Sequence, residues 1–211
     1  METKHLKKHL SRIFTPNIVK PRAFAAVCVF AAFVFASCVE REQNELGAEY
    51  DGAAITAARI FTDAGLLQFQ QPIPAPDFSL QMAGGDGETL ALSDLHGRVV
   101  VLNFWASWCP NCRAEKPSLQ ALHSRYSDED LTILAVNVQE NAGHVQAYLA
   151  DNGLTFPVVL DENGVAASIF GVNALPTSFI INRDGDIAAG VLGRVDWDSP
   201  NAHAMFEYLM R

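Results

Sequence analysis

Residues 98–117 read RVVVLNFWASWCPNCRAEKP. The first half is a continuous apolar, β-branched run, the pattern of a strand buried on both faces. The second half has the composition of a helix, and Pro110 suits a first helical position, where no amide donor is needed. Cys109 and Cys112 therefore stand at a strand-to-helix turn. Residues three apart on a helix lie about 5–6 Å apart, and a disulfide needs Cα atoms about 4.4–6.8 Å apart. A bond between them would close a very small loop and gain little chain entropy, so its use would be chemical. Unpaired amides and the helix dipole favour negative charge at Cys109, and the thiolate is the form that attacks a disulfide. Cys112, one turn further in, is expected to be more buried and to resolve the mixed disulfide.

Two other readings of the pair compete. A structural zinc site needs four ligands, usually two such pairs or a pair with histidines. There is no second pair, and His96, His123, His144 and His203 are scattered along the chain, so no metal is expected. Two inert thiols are the other reading, although the turn in WCPNC is a poor place to bury sulfur.

Outward from this segment, DFSLQM and ETLAL flank AGGDG and read as a β-hairpin. SDLHG reads as one helical turn with Ser93 as its cap. LTILAVNV is a second buried strand, AGHVQAYLADNG a helix stopped by Gly153, and FPVVLD a third apolar run before a short helix over VAASIFG. PTSFII and DIAAGVL flank the hairpin signal NRDG, and DSPNAHAMFEYLM closes as a helix opened by Ser199 and Pro200. The order β-β-β-α-β-α-β-α-β-β-α implies an α/β fold: a mixed sheet, parallel in the middle and antiparallel at its ends, with helices on both faces. QQPIPAPDF has three prolines in five residues; it reads as an extended approach, with the domain boundary near Pro72. A short amphipathic helix is expected just upstream, around Ile55, Ala58, Ile60 and Phe61.

The 211-residue chain divides its charge unevenly. Residues 1–38 hold six Lys and Arg against Glu2, and the remainder holds nine against 23 acids. Such an acidic body repels nucleic-acid phosphates, so no nucleic-acid partner is expected. The basic front precedes AFAAVCVFAAFVFAS, residues 23–37, which carries no charge. Its length is right for an export signal and short for the roughly 20 residues of a bilayer span. It ends in FASC, residues 35–38, which resembles a bacterial lipobox, with Phe35 in place of the usual Leu. The division expected is residues 1–38 as export signal with Cys38 as lipidation site (or an uncleaved anchor), 39–71 as tether and short helix, and 72–211 as the main domain. Both forms place the body outside the cytoplasm, on the periplasmic side and attached to the membrane. Cys28 lies inside the apolar run, so Cys109 and Cys112 are the free thiols of the exported domain.

FWASWCPNCRAEKP resembles the active-site segment of the thioredoxin superfamily. APDFSL, LSDLHGRVVVLNFWASWC, Pro117 five residues after Cys112, and GVNALPTSFIINRDG together resemble the membrane-attached TlpA/ResA-like thiol–disulfide oxidoreductases, which include cytochrome-c-maturation thioredoxins. The resemblance implies a thioredoxin-like fold with an extra N-terminal β-hairpin and a βα insertion. It makes Pro176 a cis-proline facing the disulfide, flanked by Leu175 and Thr177 as substrate contacts, and Trp108 a partly exposed platform over the pair. Phe104 and Trp105 are read as core. Asn103 stands where thioredoxins proper carry a buried Asp, and the group's acid three residues after the second cysteine is Glu115 here. Spacing puts Glu115 on the helix face of Cys112, where a carboxylate could exchange a proton with its sulfur; the alternative is an ordinary surface glutamate.

The activity implied is reduction of protein disulfides, in some relatives of apocytochrome c, with electrons from a CcdA/DsbD-type transmembrane donor. No cofactor is expected, since the Cys109–Cys112 disulfide itself carries the electrons. Either direction of electron flow fits the residues: thioredoxin and DsbA share the site architecture yet differ by about 150 mV. A disulfide-forming oxidase is therefore the alternative within this chemistry. A peroxidase and a chaperone or copper-binding module are the alternatives outside it.

Overall fold

The computed structural model describes residues 52–85, 87–126 and 131–211. The segment expected to be an export signal, with Cys28 and the expected lipidation site Cys38, and the start of the expected tether lie outside the described residues. The described part forms one compact unit, Gly52–Arg211. Its helices are α1 (Gly52–Asp63), α2 (Pro110–Tyr126), α3 (Ala142–Asp151), α4 (Val165–Ile169) and α5 (Pro200–Leu209). Its strands are β1 (Leu67–Pro74), β2 (Ser79–Met82), β3 (Thr89–Ala91), β4 (Val99–Trp105), β5 (Leu131–Val138), β6 (Val158–Asp161), β7 (Thr177–Ile181) and β8 (Asp186–Leu192). They form one sheet in the order β1-β8-β7-β4-β5-β6-β2-β3.

Strand β4 lies at the centre, parallel to β5 and antiparallel to β7. All seven of its residues are buried, as its uninterrupted apolar run requires. Because side chains alternate across a strand, β4 feeds two cores. Val99, Val101 and Trp105 pack with Phe61 of α1, Leu119 and Leu122 of α2, Val145 of α3 and Phe206 of α5. Val100, Leu102 and Phe104 pack with Leu92, Phe78 and Ala166 of α4 on the other face. Asn103 has the parity of the first set, so this one polar residue of the strand faces the side that carries α2.

Two expectations are corrected. The domain begins before Pro72: α1 and β1 belong to the same unit, and β1 adds an antiparallel edge strand against β8, from Leu67 opposite Gly190 to Pro74 opposite Asp186. Proline lacks a ladder donor and is tolerated on an edge, and the register shift between Gln68 and Ile73 absorbs the irregular stretch. The turn at Leu92–Leu95 is capped by acids rather than by Ser93. Asp94 accepts from the amide of Ala91 at 2.9 Å, and Asp77 accepts from the amide of Ser93 at 3.0 Å.

The remaining local signals become the elements they indicate. β2 and β3 pair as an antiparallel hairpin docked on β6 at the far edge. α3 links the parallel strands β5 and β6, with Asn141 capping α3 by accepting from the amide of His144 at 3.0 Å. β7 and β8 form the second hairpin, and Ser199 caps α5 by accepting from the amide of Ala202. Gly185 in the NRDG turn has φ +87°, and a Cβ there would sit 2.8 Å from the His96 ring.

Candidate active site

The C-terminal end of β4 delivers the redox pair to the start of α2. Cys109 and Cys112 are joined by a disulfide with a Cα–Cα distance of 5.2 Å. Cys109 caps the helix, its carbonyl accepting from the amide of Arg113 at 3.1 Å. The amide of Cys112 donates to Cys109 Sγ at 3.2 Å. That donor, with the helix dipole behind it, stabilises a thiolate on Cys109 once the bond opens. Cys109 retains a little exposure, 4%, and Cys112 none, so an incoming sulfur reaches Cys109 first.

Four further sequence-derived residues gather around the pair. The Leu175–Pro176 bond is cis, and Cys109 Sγ lies 3.6 Å from the carbonyl oxygen of Leu175. Thr177 starts β7 and closes the turn by donating to the carbonyl of Ala174 at 2.8 Å. The amide of Gly193 donates to the Pro176 carbonyl at 2.8 Å, tying this loop to the end of β8. Trp108 projects beside the disulfide with 68% of its surface exposed, a large cost for an indole unless it meets a partner.

Glu115 is wholly buried, which removes the reading of it as a surface glutamate. Its Oε1 accepts from the indole Nε1 of Trp197 at 2.8 Å and from the amide of Val195 at 3.0 Å. Its Oε2 accepts from Asn103 Nδ2 at 3.0 Å. Asn103 also donates to Ser178 Oγ at 2.8 Å, and its Oδ1 accepts from Lys116 Nζ at 2.7 Å. Lys116 is 2% exposed, with its ammonium 4.2 Å from the centre of the Trp105 ring. Sequence reasoning missed Lys116, Ser178 and Trp197. A lysine between Glu115 and Pro117 on a helix reads as solvated, and partners 80 residues downstream leave no local signal.

Burial pushes the Glu115 carboxyl above its ordinary range, against the pull of the Val195 amide, the Lys116 charge, Trp197 and Asn103. Burial lowers Lys116 to about 7, with Glu115 holding it up. Between that value and the ordinary 10.5 the unfolded chain binds a proton on this lysine that the folded chain releases. Stability contributed by this site therefore rises with pH across that window. Wild type is expected to gain stability relative to Lys116→Met between pH 7 and pH 10, read as urea midpoints of both proteins. Parallel pH dependences would show that the lysine does not titrate there.

A second polar cluster braces the turn from the other side. Glu140 accepts from the amide of Ser107 and from Asn137 Nδ2, each at 2.7 Å, and from Ser107 Oγ. His144 Nε2 lies 2.8 Å from the same hydroxyl. This anchors the residue two positions before Cys109 to the β5–α3 connection.

The redoxin family model matches residues 71–206. The chain belongs to the redoxin family. It is 37% identical over 126 residues to thiol-disulfide oxidoreductase ResA of Oceanobacillus iheyensis, covering 59% of this chain and 66% of the relative. With ResA of Geobacillus thermodenitrificans it shares 36% over 129 residues, 61% of this chain and 73% of the relative. Among solved structures, a secreted thiol-disulfide isomerase from Corynebacterium glutamicum superposes with a TM-score of 0.59 at 27% identity, over 69% of this chain and 89% of that one. The expected thioredoxin-like α/β fold is therefore the observed one. Within the redoxin family, a bonded Cys-X-X-Cys pair at the head of α2 places this domain among the thiol–disulfide oxidoreductases.

Proposed function

We propose that the protein reduces protein disulfides outside the cytoplasm while attached to a membrane. The observation that carries the reading is the asymmetry of the pair. Cys109 is the reachable sulfur, carries an amide donor, and lies beside the Leu175–Pro176 backbone; Cys112 is sealed. The Cys109 thiolate attacks a substrate disulfide and forms a mixed disulfide. Glu115 takes the proton from Cys112, whose thiolate attacks Cys109 Sγ and displaces the substrate sulfur from it. Two electrons pass to the substrate, which leaves as thiolate, and the Cys109–Cys112 bond re-forms. Leu175, Pro176 and Thr177 hold the substrate backbone and Trp108 covers it. The disulfide is the electron carrier, without a bound cofactor.

The resemblance to TlpA/ResA-like proteins supports apocytochrome c as substrate and a transmembrane donor of the CcdA/DsbD type. The basic front, the 15-residue uncharged run and FASC support attachment through a lipid on Cys38. Among the described residues no helix is long and apolar enough to cross a membrane. Insulin reduction tests the activity, with peroxide consumption measured alongside. Turnover of insulin with dithiothreitol, abolished by Cys109→Ser, is expected; peroxide consumption without insulin reduction would make the protein a peroxidase.

A further inference from the structure

Lys116 has no part in the exchange chemistry above, yet it occupies one of the least favourable places for a lysine in the fold. The residue is 2% exposed, and its ammonium faces the rings of Trp105 and Phe156 and donates to Asn103 Oδ1 at 2.7 Å. The other end of the same amide donates to Glu115 Oε2 at 3.0 Å. Asn103 thus has its acceptor on the cation and its donor on the anion, and Ser178 takes its remaining hydrogen at 2.8 Å. A bridging amide polarised from both ends strengthens each bond and fixes the two charges relative to one another.

We propose that Lys116 is a positioning residue for the acid–base step: joined to Glu115 through Asn103, its positive charge keeps the buried carboxylate ionised as the proton acceptor for Cys112. This rests on the reading that Glu115 serves Cys112. Burial alone drives a carboxyl toward its neutral form, which cannot accept a proton. A cation held in the same dry space opposes that drive, and Glu115 stands one helical turn from Cys112, about 5–6 Å in such a helix. In the resolving step the proton leaves Cys112 Sγ for a Glu115 oxygen, and the new sulfur–sulfur bond forms as the bond to substrate breaks. Charge in the pocket is then one positive lysine and one neutral acid, until the proton is released.

On α2 itself the titratable neighbour of the Glu115–Lys116 pair is Cys112. From β4 come Asn103 and Trp105, from β7 Ser178, and from the segment after β8 the Val195 amide and Trp197. Tyr148 of α3 packs on the Trp105 ring at 5.3 Å, and Arg113, which faces Tyr148, is exposed. Arg194 and Asp196, on either side of Val195, are exposed to solvent.

The test uses three variants: Lys116→Met, which fills the same space without charge, Glu115→Gln, and the double variant. Reduced protein is mixed with a fluorescent glutathione disulfide in single turnover from pH 5 to 9. Release of the second glutathione reports resolution, and carbon NMR of labelled glutamate side chains follows Glu115. In Lys116→Met the Glu115 midpoint is expected to move up by roughly 1 unit. Glutathione release at pH 6 should fall about ten-fold and converge on wild type near pH 9. In the Glu115→Gln background Lys116→Met should add nothing. If Glu115→Gln slows release but Lys116→Met leaves the profile and the midpoint in place, the lysine's role is overturned and that of Glu115 stands. If Glu115→Gln leaves release and the Cys112 titration unchanged, the role of Glu115 falls, and that of Lys116 with it.

Discussion

Cys112→Ser is expected to turn the protein into a trap. Cys109 can still attack a disulfide, but no thiolate remains to displace the substrate from it, so substrates should accumulate as mixed disulfides through Cys109. Steady-state insulin reduction should fall to the uncatalysed level. The assignment follows from burial and from the amide donor: Cys112 has no exposure, and its own N–H points at Cys109 Sγ from 3.2 Å. Non-reducing electrophoresis followed by mass spectrometry of the captured adducts reads the outcome. Cys109→Ser should capture nothing, because Cys112 is sealed beneath the surface. Capture through Cys112 in the Cys109→Ser variant would reverse the two roles.

Glu115→Ala is expected to cost stability as well as activity. The change strands three buried donors: the Val195 amide, Trp197 Nε1 and Asn103 Nδ2. It also leaves Lys116 without its nearest opposing charge. An unsatisfied buried donor costs about 1–3 kcal/mol, and breaking a buried ion pair from one side about 3–5 kcal/mol. These overlap, so a total of about 4 kcal/mol is expected, a large part of the 5–15 kcal/mol that holds a typical domain together. Denaturant unfolding at pH 6 measures it. The loss should shrink when Lys116→Met is added, since the stranded cation is then gone. A loss under about 1 kcal/mol would be that of an exposed pair and would contradict the buried network.

The centre of the fold was readable because local signals and tertiary roles coincide there. β4 carries an apolar run with no alternation and is buried on both faces; α2 starts at the proline that marks its first turn; both hairpins carry their turn residues. The edge was less readable. Pro72 and Pro74 break the pattern of an interior strand, and the ladder that accepts them exists only once β8 is in place, more than a hundred residues later. The site divides the same way. The Cys109–Cys112 pair follows from helical spacing at a strand-to-helix turn; Glu115, Trp108, Leu175, Pro176 and Thr177 are what the resemblance implies, with spacing placing Glu115 on the helix face of Cys112. Lys116 did not follow from either. Its burial is decided by Asn103, Trp105 and Phe156, and a lysine flanked by Glu115 and Pro117 has nothing in its own neighbourhood to distinguish it from a solvated one.

These observations join one strand and one helix into a redox device. β4 sets Asn103 below the pair and ends at the turn that holds Cys109. α2 supplies the donor to Cys109, the sealed Cys112, and the Glu115–Lys116 couple one turn further on. Glu140 and His144 hold the turn from the β5–α3 side, and the Leu175–Pro176 loop supplies the facing backbone. The residues between the cysteines, Pro110 and Asn111, are neutral and exposed, so they add no formal charge beside the Cys109 sulfur.

The reduction potential of the Cys109–Cys112 couple, from equilibration with glutathione buffers at pH 7, tests the claim of a reductant most directly. A value of about −200 mV or below, toward that of thioredoxin, is the expected result; a value near the roughly −120 mV of DsbA would contradict it and make the protein a disulfide-forming oxidase.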